Sequence, residues 1–473
     1  MLKQLEVKEH LRAKQQGLGR PIISTEHAGG RFVAVRDKLF FSKNWKFFPD
    51  FLSDFLKDEL SGEWGNAEIK KPLQERHPLM QWYDAYCRFQ RSHEKQSDGT
   101  YHGEPTGIYY CFMGLAYNLF LLRHNNEDVQ KRLFERLKHP DQFQSAYHEL
   151  MVANWLIRAG FELELEDEDS RKSRHCEFSA TSIRTGKKYS VEAKMRGVKG
   201  LLGKTVGKDG DPTAHLIKHV NDALKKPAEG ERLIFVDLNV EPMTREEFSL
   251  RDSTPPKWME TSEAKLRRLD RRLAGKKRAY VFVTNMAFHR ALDETFQGHA
   301  AVTYGLGIPD YATPKEYRLK EAWKIKQKHI DMEYISETLT TYPKIPNHFE
   351  ADMPPEKEGA PARIKIGNWY EFEDAGVRAR VTSAQVIEDE KKIYMGVQTE
   401  DGRALILTEP MSDYEYDVYR QYPETYFGMV QEVPKRTDDP FEFYQRLVEI
   451  HRTYSREYFL RQMQDAPAII TLT

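Results

Sequence analysis

Apolar side chains recur at Phe143, Ala146, Leu150, Ala153, Leu156 and Ile157, and this 3.6-residue period predicts an amphipathic helix over residues 142–159. Asp141 is positioned to cap its start and Gly160 to stop it. The period then changes to that of extended chain. Strands are expected at residues 161–166, 176–183 and 188–194, the last two joined by a turn at Thr185-Gly186. A glycine-rich loop at 197–211, a helix at 213–225, an apolar strand at 233–240, a basic helix at 262–273 and a second apolar strand at 279–284 follow. The order α-β-β-β-α-β-α-β predicts an α/β domain, a mixed sheet flanked by helices.

The flanking text has a different rhythm. Trp45, Phe47, Phe48, Phe51 and Phe55 stand at helical spacings, and residues 1–140 read as a mainly helical domain from about residue 44. Gly99, Gly103 and Pro105 mark a loop within 92–106. An aromatic stripe of this kind reads as core, and no chemistry is expected before residue 140. The uncharged run 107–122 is shorter than the roughly 20 residues of a membrane span and reads as a buried helix. The α/β domain is expected over 141–342. Five prolines between 343 and 363 predict an extended linker. Beyond it, residues 364–473 read as a further module: short β runs with turns at Asp374-Ala375-Gly376 and Asp401-Gly402 predict a small SH3-like β-barrel, and residues 440–464 a C-terminal helix.

Composition narrows the classes. With 473 residues, 40% hydrophobic and 31% charged, the chain can bury more than one core and is not a disordered protein. Cys87, Cys111 and Cys176 are too few and too scattered for a disulfide framework or a paired-cysteine zinc site, which fits a reducing compartment. The opening residues lack the apolar stretch of a secretory signal, so a cytoplasmic location and no membrane association are expected. Net charge is only −1, yet residues 184–226 carry eleven Lys/Arg against four acids, and residues 263–278 eight against two. That local excess suits a polyanion.

Candidate chemistry gathers in the same block. In Val191-Glu192-Ala193-Lys194 the strand period of two places Glu192 and Lys194 on one face and Val191 and Ala193 on the other. On the preceding strand Phe178 can enter the core while Glu177 points toward Glu192. Glu149 projects from the helix before them. Mg²⁺ takes oxygen ligands, and one or two carboxylates together with a substrate phosphate usually hold it. Glu177 and Glu192 fit that need; Lys194 is placed to orient water or to offset developing negative charge, and Glu149 to hold a second metal or its water. Glu-x-Lys by itself says little, since it recurs at Glu6, Glu68, Glu263 and Glu390, but only the copy at Glu192 follows both an acid-bearing hairpin partner and a Glu-bearing helix.

This arrangement resembles the PD-(D/E)XK nuclease superfamily, the restriction-endonuclease-like fold, over about a third of the chain. The departure is Cys176-Glu177, where the family commonly has Pro-Asp; Asp167 and Asp169 are the alternatives for that position. The resemblance implies a Mg²⁺-dependent nuclease, with Mn²⁺ able to substitute, using Glu149, Glu177, Glu192 and Lys194, acting on nucleic acid with DNA favoured, in restriction, phage defence or repair, and a homodimer. Lys199, Lys204 and Lys208 in the glycine-rich loop and Lys218 on the next helix are the expected backbone contacts. The acidic stretch 389–432 points the C-terminal module toward a protein partner.

Three other motifs are set aside. Gly197 to Thr205 imitates a phosphate-binding loop but has five residues, not four, between its outer glycines and no helix directly after it. His148-Glu149 opens a zinc-protease pattern whose second histidine is replaced by Val152. His215 and His219 stand four apart with no third ligand in view and read as packing or phosphate contacts. The rival function is a nuclease-like fold without catalysis, binding nucleic acid or protein within a larger complex.

Overall fold

The computed structural model describes residues 2–97, 100–165, 176–197, 210–251, 253–312, 318–353 and 364–431, so the helix expected at 440–464 lies outside the described residues. Chain order begins with α1 (Leu2–Gln16) and an antiparallel meander, β1 (Ile23–His27), β2 (Gly30–Val35) and β3 (Lys38–Ser42). Five helices follow: α2 (Phe48–Leu60), α3 (Gly62–Ile69), α4 (Pro78–Arg91), α5 (Gly107–Asn125) and α6 (Glu127–Leu137). The next block comprises α7 (Pro140–Arg158), β4 (Phe161–Glu164), β5 (Phe178–Ser182), β6 (Lys188–Met195), α8 (Leu216–Lys225), β7 (Glu231–Asp237), α9 (Arg245–Leu250), α10 (Lys257–Leu273), β8 (Ala279–Thr284) and β9 (Ala301–Leu306). After it come α11 (Pro309–Ala312), α12 (Leu319–Lys328), α13 (Ile330–Thr341), β10 (Trp369–Phe372), β11 (Val377–Ile387), β12 (Lys392–Thr399), β13 (Ala404–Pro410) and α14 (Asp413–Gln421).

The fold is mixed α/β. One unit is built from residues within 1–312, 331–366 and 425–430. At its centre lies a six-stranded sheet in the order β4-β5-β6-β7-β8-β9; β4, β5 and β6 form an antiparallel meander, β7 and β8 continue parallel to β6, and β9 returns antiparallel. Parallel neighbours require a crossover, and α8 and α10 supply one each. Phe178, Val191, Ala193, Phe235 and Phe282 face a core shared with α2, α4, α5, α6 and α7, whereas Ile234, Val236, Val281 and Val283 face α8 and α10. The sheet is thus covered on both sides. The helices before residue 140, expected to form a domain of their own, share one continuous core with this sheet.

Two local expectations change. The N-cap of α7 is His139 with Pro140 in the first turn, not Asp141, because proline's fixed φ and missing N–H suit a first helical position. Residues 343–353, expected to begin a linker, lie against the core instead: Phe349 is buried and the Phe48 N–H donates to the Asn347 carbonyl at 2.8 Å. Gly160 ends α7 with φ +85°, as expected of a helix stop. No helix among the described residues is long and apolar enough to cross a membrane.

The second unit takes its described residues from within 313–330, 367–424 and position 431. It holds α12, α14 and an antiparallel sheet in the order β10-β11-β12-β13. Strand alternation buries Ala379, Val381, Ile393, Met395 and Val397 on one face and leaves Arg378, Arg380 and Gln398 outward.

Candidate active site

The register between β5 and β6 sets the geometry. Phe178 pairs with Val191 across the antiparallel ladder, and the Glu177 N–H, one residue before β5, donates to the Val191 carbonyl at 3.0 Å. Continuing that register places Glu177 opposite Glu192, on the face turned away from Phe178 and Val191. Like charges facing each other across strands repel. Two lysines relieve the repulsion. The Lys194 Nζ lies 3.3 Å from Glu177 Oε1 and also pairs with Glu192 Oε1. The Lys226 Nζ lies 2.7 Å from Glu192 Oε1, 2.8 Å from Glu192 Oε2 and 3.6 Å from Glu177 Oε1.

Burial separates the two acids. The Glu192 side chain is 2% exposed, and its Oε1 forms ion pairs but accepts no well-aligned hydrogen bond; that of Glu177 is 17% exposed, on the solvent side of the pair. Burial opposes the charged form of Lys194, but Glu192 and Glu177 outweigh it and hold the ammonium above the ordinary lysine pKa.

Glu149 is placed otherwise. Its carboxylate is clasped by the Arg136 guanidinium, Nη2 to Oε1 at 2.8 Å with Nη1 on the other oxygen. Burial raises the Glu149 pKa; Arg136 works against that rise, and Glu177 adds to it. Glu149 therefore stands at the edge of the same charge cluster with its oxygens already engaged. Among the described residues no group of three or more His, Cys, Asp or Glu is poised to hold a metal. The donor set that fits Mg²⁺ is the Glu177 and Glu192 pair, whose oxygens already converge on two cations, and Mg²⁺ needs no more protein carboxylates than that.

Breaking the Arg136 clasp should be costly. Removing one partner of a buried ion pair leaves an uncompensated charge, so Arg136→Ala is expected to lower unfolding free energy by about 3 kcal/mol. Urea unfolding checks this, and adding Glu149→Gln to the same chain should recover part of the loss.

The remaining expected contacts scatter. Lys199, Lys204 and Lys208, together with Asp167 and Asp169, lie outside the described residues. Lys218 is exposed on α8, whose inner face is Leu216, Val220, Ala223 and Leu224. His219, on the same helix, is half-buried; burial lowers its pKa and the Lys194 charge lowers it further.

None of the protein-family models, curated proteins or solved structures compared with this chain matches it.

Two site residues escaped the sequence reading. Arg136 sits on α6, in the stretch from which no chemistry was expected, and reaches Glu149 only because α6 folds back along α7. Lys226 is the second of two lysines ending α8, and nothing local separates it from Lys225, whose partner is the surface Asp222 at 2.9 Å. The signal that could have found it is Pro227: the residue before a proline is driven into extended backbone, which turns its side chain out of the helical path.

Proposed function

We propose that the chain is a metal-dependent nuclease whose centre is Glu177, Glu192 and Lys194, with Glu149 in support and DNA as the favoured substrate. The observation that carries this reading is two carboxylates, opposed across two neighbouring strands inside the central sheet, converging on lysine ammonium groups. The succession α7-β4-β5-β6-α8-β7 supports the resemblance to the restriction-endonuclease-like fold, since it supplies the helix, the antiparallel meander and the crossover in that order. When bound, Mg²⁺ supplies Lewis-acid polarisation of the phosphoryl oxygen and a water of lowered pKa.

The chain's own residues do the rest. Glu192, fixed within the strand and nearly fully buried, is the rigid ligand; Glu177, more exposed and just before the start of β5, is the ligand that adjusts to substrate. Lys194, on the same face two residues beyond Glu192, holds a positive charge beside the pair and is placed to offset charge that builds on the phosphate. Glu149 positions Arg136 at the rim. Asp211, tied to Lys265 at 2.9 Å and to the Thr213 hydroxyl at 2.6 Å, anchors the point where the chain re-enters α8 beyond the glycine-rich stretch. We read the β10–β13 sheet as an SH3-like module for a protein partner.

The test is cleavage of supercoiled plasmid, linear duplex, single-stranded DNA and RNA by the full chain with Mg²⁺ or Mn²⁺, beside Glu192→Ala. Cleavage by the parent, stopped by chelation and absent in the variant, supports the reading. Equal cleavage by the folded variant would place the chemistry elsewhere, and no cleavage by the folded parent with either metal would favour a binding module.

A further inference from the structure

Lys226 is held more firmly than a helix-terminal lysine needs to be. It is the C-cap residue of α8, with φ −67° and ψ 145°, and its N–H donates to the Ala223 carbonyl at 3.2 Å. Its carbonyl accepts from Arg232 at 2.8 Å, and the carbonyl of the following Pro227 lies 3.5 Å from the Cys176 Sγ. Cys176 immediately precedes Glu177. The backbone carrying the lysine is thereby fastened to the strand carrying the acid, and the Lys226 side chain is 15% exposed. Its neighbour Lys225 is 68% exposed and pairs with Asp222 at the surface, where such pairs contribute little.

Resting on the nuclease reading, we propose that Lys226 is a resident counter-cation of the carboxylate pair, which holds Glu192 and Glu177 together in the metal-free protein and must withdraw when a divalent cation binds them. The physical argument is charge balance. Without a metal, two facing carboxylates need about two positive charges nearby, and Lys194 and Lys226 supply them. A divalent cation on the same oxygens brings that charge itself, so both ammonium groups become surplus. Lys194 shares the strand of Glu192, whereas Lys226 reaches the pair from the end of α8, so its side chain can swing aside while its fastened backbone and both acid-bearing strands stay in place. Once withdrawn, it is a cation beside a site expecting a phosphate. The metal-free fold is thereby stabilised by a group that competes with the metal.

The competition is measured with Mn²⁺ alone, from its free electron-paramagnetic-resonance signal, on the chelator-treated full chain and on Lys226→Met, Lys225→Met and Glu192→Gln. Lys226→Met is expected to bind Mn²⁺ roughly tenfold more tightly than the parent, the size of one lost charge-assisted bond. Lys225→Met should match the parent. Lys226→Met should also melt at a lower temperature in chelator and gain more from Mn²⁺. Parent binding that Glu192→Gln weakens, with no tightening in Lys226→Met, overturns the proposal and leaves the nuclease reading standing. Equal Mn²⁺ binding by parent and Glu192→Gln overturns both. Should Lys226→Met not fold, acetylation of the parent followed by mass spectrometry decides. Mn²⁺ is expected to raise the reactivity of Lys226 several-fold and leave Lys225 unchanged, and equal reactivity of Lys226 with and without the metal overturns the proposal.

Discussion

Lys194→Ala is expected to lower metal-dependent cleavage by about 10²–10³-fold, the usual cost of removing one preorganised group that stabilises transition-state charge. The protein should remain folded, because Lys226 still touches both acids and one cation is enough to keep the buried Glu192 carboxylate from standing alone. Glu192→Ala differs in kind. It leaves two ammonium groups partly buried with Glu177 as their common partner, and it removes the rigid ligand, so both metal binding and stability should fall. Comparing the two separates roles. Lys194→Ala should bind Mn²⁺ at least as tightly as the parent while losing rate, and Glu192→Ala should lose both. Single-turnover cleavage alongside Mn²⁺ titration checks this; a Lys194→Ala chain that folds, binds Mn²⁺ and cleaves at the parent rate would remove the lysine from the mechanism. Lys194→Arg should recover little, since a planar guanidinium cannot reproduce a point charge between two carboxylate oxygens.

What the sequence carried and what it did not can be traced to the range of the forces involved. The α7 period and the alternation in β6 are local, and burial of Val191 and Ala193 on one face orients Glu192 and Lys194 without further information. The turn at Gly186, with φ +69°, was legible because glycine tolerates that conformation without strain. Arg136 and Lys226 were not legible, because each meets its partner through tertiary packing, across 13 residues for Arg136 and 34 for Lys226. Strand β9 was missed for a related reason. Its sequence, Ala-Val-Thr-Tyr-Gly-Leu, is short and interrupted by Gly305, and it becomes a strand by pairing with the edge of β8. The meander β1–β3 likewise has mostly exposed or half-buried positions and little alternation to read. The shared core of the N-terminal helices and the sheet is legible only afterwards: an aromatic stripe predicts burial but does not name the surface that covers it.

Acidification from pH 7 to pH 4.5 is expected to destabilise the chain by several kcal/mol, with His77, His148 and His289 as the main contributors. Burial pushes His77 down to about 4 and both His148 and His289 down to about 3, from an ordinary histidine value of 6.5. In the unfolded chain each takes a proton below 6.5, and in the folded chain each resists it until its own lowered value, so stability present above 6.5 is lost as pH falls. By pH 4.5 the linkage amounts to up to about 3 kcal/mol per histidine, a large part of the roughly 5–15 kcal/mol that holds a domain folded. The structural cause is visible at His77, whose Nδ1 accepts from the Leu79 N–H at 3.2 Å and caps α4; protonation destroys that acceptor. Asp237 opposes the trend. Burial raises its carboxyl to about 6 although Thr284, Met286 and Asn239 all donate to it, so its stabilising protonated form is lost as pH rises through 6 and regained as pH falls. Over the same interval it returns about 2 kcal/mol, which leaves a net loss. Urea unfolding of the parent and of His77→Asn at the two pH values is the measurement. Asparagine keeps a capping oxygen and cannot titrate, so the variant should lose visibly less stability between pH 7 and 4.5; an unchanged loss would show that His77 is not a site of proton uptake on unfolding.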